Sequence, residues 1–175
     1  MDDRRQAGVT LPELLLVLAL AGLLAALSIP SFGSLLADHR LRAAAETIAM
    51  DLRRARIDAV RQGRPLFVHF STGGPWCYRF AARAGCGCDS PDADCVDTLP
   101  AGGGERFPGI RLSLSRFAFG ASSTRFDPLR GLARPGRLRL TSSHHTSLEL
   151  RISPLGRVRI CRPAGRNRPR GYPAC

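Results

Sequence analysis

Eleven arginines and a single acid, Glu149, lie between residues 130 and 175, giving that stretch a net charge of +10 out of +12 for the whole chain. There is no lysine anywhere, so the positive charge is guanidinium throughout. Guanidinium forks match phosphate oxygens in two-point geometry. A run of them along a nucleic-acid backbone gains affinity by releasing condensed counterions. The pattern Leu148, Leu150, Ile152 alternates with Glu149 and Arg151, and Val158 and Ile160 alternate with Arg157 and Arg159, across a turn at Ser153-Pro154-Leu155-Gly156. Arg137 and Arg139 stand in the same relation to Leu138 and Leu140. Period-two geometry sends the apolar set inward and the arginines outward. Arg162, Arg166, Arg168 and Arg170 follow in the tail. No base-reading helix or zinc finger is present, so binding is expected to the backbone and independent of sequence. Tyr172 is the only aromatic nearby, which disfavours a stacking platform for single strands and leaves double-stranded DNA as the expected ligand.

Cysteine is the second reactive set. Cys161 and Cys175 stand apart near the end and are expected to pair, closing the arginine-rich tail into a loop worth roughly 3 kcal/mol. Cys77, Cys86, Cys88 and Cys95 share one loop-rich region. They allow three disulfide connectivities, between which the sequence does not choose. A zinc site is the alternative, although the C-x-C spacing suits it poorly. Catalysis is not expected: no G-x-S-x-G, P-loop or H-E-x-x-H occurs. His144 and His145 fall among Ser142, Ser143 and Thr146 in what reads as a solvated turn, and His39 and His69 are isolated. No cofactor is implied.

These groups must be carried by a scaffold, and the amino-terminal region says where it sits. Residues 9–29 contain one charge, Glu13, and as a helix would extend about 32 Å, one bilayer crossing. Arg4 and Arg5 before it favour a cytoplasmic amino end, which delivers the rest of the chain to the far side of the membrane. An oxidising compartment there suits disulfides. A carboxylate inside such a span costs roughly 2.5 to 3.5 kcal/mol and calls for a partner. Beyond Pro30, the apolar positions Leu41, Ala45, Ile48, Leu52, Ala55 and Ala59 recur at helical spacing, with the arginines mainly off that stripe. Gly63 and Pro65 supply the stop. The arginines of this helix read as a solvated face. Short strands follow: 66–70, 76–82, 111–119, 137–141, 148–152 and 157–161, with 85–108 read as a long loop. The fold class is α+β, one amino-terminal helix laid on antiparallel sheet.

The residues around Glu13 resemble the prepilin signal of type IV pilins and type II secretion pseudopilins: a charged leader ending in Gly8, apolar Val9, Glu13 four residues on, and Pro30 past the apolar span. Val9 departs from the aromatic or Met usual at that position. The resemblance implies cleavage by prepilin peptidase between Gly8 and Val9, methylation of Val9, and a filament role for Glu13, meeting the amino terminus of a neighbouring subunit. Together with a Gly-rich first hairpin and the closing segment Gly156-Arg157-Val158-Arg159, the chain is similar to the GspH/FimT family. The organisation it implies is a leader at 1–8, a transmembrane and filament-core helix at 9–29, an amphipathic continuation at 30–62, and a disulfide-tethered β-rich domain at 63–175 with its basic region at 130–175. The FimT branch implies a minor pilin of a type IV pilus that captures DNA for natural transformation through the G-R-x-R segment. The implied partners are prepilin peptidase, other pilins, DNA and inner-membrane lipid, with the globular domain in the periplasm. The GspH branch, a type II secretion pseudopilin without a DNA role, is the alternative.

Overall fold

The computed structural model describes residues 10–72, 75–88, 95, 101–118, 122–165, 169 and 171–175, without the side chains of 25–31 and 114–116. Gly8 and Val9 lie outside the described residues. The chain divides into two compact units, residues 1–36 and 37–175. A helix, α1, covers Leu11–Gln62 and so belongs to both. Pro12 falls in its first turn, where a missing N–H costs nothing. Gly63 ends it in the left-handed conformation, with φ of 62°. In the first unit the described apolar side chains, Leu14 to Leu24 among them, are exposed. Among the described residues no helix is long and apolar enough to cross a membrane; the expected crossing at 9–29 includes Val9 and side chains beyond those described.

In the second unit the helical stripe Leu41, Ala45, Ile48, Leu52, Ala55 and Ala59 is buried. It packs in one core with the inward faces of two four-stranded antiparallel sheets. The first sheet has the order β3, β2, β1, β5, made of Gly102–Gly103, Cys77–Ala81, Leu66–Ser71 and Ser123–Phe126. The second has the order β4, β6, β7, β8, made of Ile110–Phe117, Gly136–Ser142, Ser147–Ile152 and Val158–Cys161. Leu138, Leu140, Leu148 and Leu150 are wholly buried, as two-residue alternation requires.

Several elements differ from the sequence expectation. The region 85–108 is not all loop: Gly102 and Gly103 pair with Tyr78 and Cys77, and a 3₁₀ turn follows at Gly104–Arg106. A Cβ at Gly102 would overlap the Tyr78 ring, so the absence of a side chain is what allows the strand to close on β2. β5 is unforeseen because its four residues end at Asp127-Pro128, too short for a period. β8 begins at Val158, one residue later than expected, which leaves Arg157 in the preceding turn.

Candidate nucleic-acid interface

Sheet pairing decides where the arginines of the second sheet stand. In the β6–β7–β8 ladder Arg137 lies opposite Arg151, and Arg151 opposite Arg159. Directly opposed residues share a face, so three guanidinium side chains form one row across the sheet. Like charges so placed repel. The next row contains the answer to that repulsion: Arg139 lies opposite Glu149. Glu149 is only 3% exposed although it is on the outward face. Its Oε1 accepts from Arg151 Nε at 2.7 Å and its Oε2 pairs with Arg139 at 3.4 Å. Arg151 also donates to the carbonyl oxygen of Cys175 at 2.9 Å.

The sequence expectation treats the strand arginines alike; the structure divides them. Arg139 and Arg151 are committed to Glu149. Arg137, Arg157 and Arg159 are exposed, and among the described residues their guanidinium groups have no hydrogen-bond or ion-pair partner. Arg137, Arg151, Arg157 and Arg159 line a groove of about 730 Å³ together with Phe117, Ile152 and Leu155. Arg162 is half-buried and its Nε has no hydrogen-bond partner. Arg166, Arg168 and Arg170 lie outside the described residues.

Arg157 is held by a tight turn. Gly156 N–H donates to Ser153 O at 2.9 Å, Arg157 N–H donates to Ser153 Oγ at 3.1 Å, and Ser153 N–H donates to Arg157 O at 3.0 Å. Gly156 has φ of 71° and is buried. It contributes no group to a ligand, and its place is set by a close approach: a Cβ there would overlap the carbonyl oxygen of Gly131 and come within 2.9 Å of Arg56 Nε. Arg56 Nε donates to that same carbonyl at 3.0 Å, and Arg53 donates to Val158 O at 3.3 Å.

The helix thus enters the site, which the sequence expectation of a solvated arginine face missed. Arg53, Arg56 and Arg61 line a second groove, of about 620 Å³, with Arg130, Arg157 and Arg159. The available signal was spacing: positions 53, 56, 57, 60 and 61 fall on one side of a helix, beside the buried stripe.

All six cysteines pair. Cys161 bonds Cys175 as expected, and the clustered four resolve as Cys77–Cys88 and Cys86–Cys95. The tail between Cys161 and Cys175 is further tied by backbone bonds from Arg162 N–H to Pro173 O and from Cys175 N–H to Arg162 O. Tyr172 donates its hydroxyl to Glu46 of α1 at 2.6 Å. Burial and the Glu46 carboxylate push the Tyr172 hydroxyl up to about 12. His144 and His145 are exposed in the β6–β7 turn, His145 with φ of 60°.

No curated protein sequence matches the chain. Among solved structures it is similar to the type IV minor pilin FimU of Pseudomonas aeruginosa strain PAO1. One crystal form shares 19% identity over 70% of this chain and 88% of that one, with a TM-score of 0.51. A second shares 17% identity over 69% and 91%, with a TM-score of 0.48. At such identity the likeness of the first is one of fold, an amino-terminal helix on antiparallel sheets. Residues 3–29 match the prokaryotic N-terminal methylation motif. Residues 44–156, nearly two thirds of the chain, match the model of the type II transport protein GspH, and the chain belongs to that family of minor pilins and pseudopilins.

Proposed function

We propose that the chain is a minor pilin of a type IV pilus that binds double-stranded DNA during uptake. Prepilin peptidase cuts after Gly8 and methylates Val9, and the match of residues 3–29 to the methylation motif supports this. Before assembly, residues 9–29 cross the inner membrane once and the domain from residue 63 onward stands in the periplasm. Glu13 offers a carboxylate to the amino terminus of a neighbouring subunit, a pairing that offsets its cost in an apolar surrounding. The helix then passes into the filament with Pro30 at the end of the apolar span.

The observation that carries the DNA reading is the unbalanced arginine row. Glu149 neutralises Arg151 at its centre, while Arg137 and Arg159 at either side, and Arg157 beside them, have no hydrogen-bond or ion-pair partner for their guanidinium groups among the described residues. A line of phosphates relieves that repulsion and satisfies the free donors together. The test is a fluorescence polarisation titration of the oxidised full chain in nonionic detergent with a random-sequence duplex, beside Arg157→Ala/Arg159→Ala. Binding that weakens at least about tenfold in the double variant supports the reading. Absence of binding at low salt rejects it in favour of a secretion pseudopilin whose arginines serve contacts with other subunits.

A further inference from the structure

We propose that the DNA-binding surface continues from the strands onto the amino-terminal helix, with Arg61 and Arg130 as phosphate-binding residues across the second groove. This rests on the DNA reading above and extends it to residues outside the carboxy-terminal strands and tail.

Arg157 and Arg159 border both grooves, so they form a ridge with one basic channel on either side. On the helix side, four other arginines line the channel, and their hydrogen bonds separate them into two kinds. Arg53 and Arg56 give donors to the carbonyl oxygens of Val158 and Gly131. They hold β8 and the 127–131 turn against α1, and are positioning residues. Arg61 and Arg130 are exposed, and among the described residues neither guanidinium has a hydrogen-bond or ion-pair partner. The backbone of Arg130 is held in a turn: its own N–H and that of Leu129 both donate to Asp127 Oδ1, at 3.1 and 3.0 Å, and Gly131 N–H donates to Asp127 O at 3.0 Å.

A cation in the last turn of a helix is favoured by the helix dipole, which accounts for Arg61 alone. It does not account for Arg130, on a different element, facing the same channel. An acidic protein segment also has the charge to fit. Duplex DNA is favoured because the channel is continuous with the ridge, so phosphates engaged by Arg157 and Arg159 lead directly to Arg61 and Arg130 along one backbone.

The experiment compares four oxidised full-length proteins against the same duplex over a range of sodium chloride: the parent, Arg157→Ala/Arg159→Ala, Arg61→Ala/Arg130→Ala, and Arg106→Ala/Arg111→Ala. The last pair lies outside both grooves and matches the loss of charge. The proposal expects Arg61→Ala/Arg130→Ala to bind about five- to tenfold more weakly than the parent and to flatten the slope of log K against log salt by roughly 2. Arg61→Lys/Arg130→Lys should recover most of that slope. If the parent binds and Arg157→Ala/Arg159→Ala is impaired while Arg61→Ala/Arg130→Ala matches the control pair, this extension is overturned and the DNA reading stands. If the parent does not bind duplex, or binds polyglutamate in preference, both are overturned.

Discussion

Glu149 pairs with Arg151 at 2.7 Å while almost wholly buried on the outward face of its sheet, where alternation would leave it exposed. It is the acid that lets three opposed arginines coexist. Glu149→Gln keeps the shape and an acceptor but removes the charge. The variant should lose about 1–3 kcal/mol of stability, because Arg139 and Arg151 lose their charge-assisted bonds. It should bind duplex DNA about two- to fivefold more tightly, since the charges of Arg139 and Arg151 are no longer neutralised by Glu149. Urea denaturation and a binding titration read the two effects separately. A folded variant of unchanged affinity would place Arg139 and Arg151 outside the DNA path.

Gly156 is required by space and by backbone conformation together. Gly156→Ala places a Cβ against Gly131 O and Arg56 in a left-handed residue. A loss of about 2–4 kcal/mol is expected in urea denaturation, combining backbone strain with displacement of the Arg56 bond. Gly165→Ala is the contrast on the space criterion, because nothing lies within 4 Å of its added carbon.

The tail bridge joins Cys161 and Cys175 across a sequence separation of 14. Cys161→Ser/Cys175→Ser should cost roughly 3 kcal/mol in the chain-entropy model. Because the same tail brings Tyr172 to Glu46 and Cys175 O to Arg151, hydrogen exchange should rise selectively in residues 162–175.

His69 gives the protein an acid sensitivity. Burial holds its pKa below the ordinary 6.5, against a smaller opposing effect of the Arg83 carbonyl 3.4 Å from Nε2. The unfolded chain therefore takes up a proton near pH 6.5 that the folded ring resists. Its contribution is fully present above pH 6.5 and declines as the pH falls below it. Urea midpoints measured at pH 7.5 and 5.5 should separate more for the parent than for His69→Asn.

Much of this architecture is legible in the chain. The stripe Leu41 to Ala59 and the alternation in β6 and β7 report burial directly, because packing on one face is what imposes each period. The G-R-V-R segment and the isolated Cys161 and Cys175 are visible as they stand. Other features depend on contacts between distant segments. β3 exists because Gly102 fits under Tyr78, the burial of Glu149 depends on Arg139 and Arg151 closing over it, and the helix arginines join the site only once Arg53 and Arg56 reach Val158 and Gly131. The pairing of Cys77 with Cys88 and Cys86 with Cys95 likewise follows from the fold of β2 and its loop.

The most direct measurement is the salt dependence of duplex binding by the oxidised full chain between 50 and 200 mM sodium chloride. Three guanidinium groups without a partner among the described residues, at Arg137, Arg157 and Arg159, predict a slope of log K against log salt of about −3 or steeper, flattened by roughly 2 in Arg157→Ala/Arg159→Ala. No binding at 50 mM, or a shallow slope that the double variant leaves unchanged, would contradict a DNA-capturing pilin.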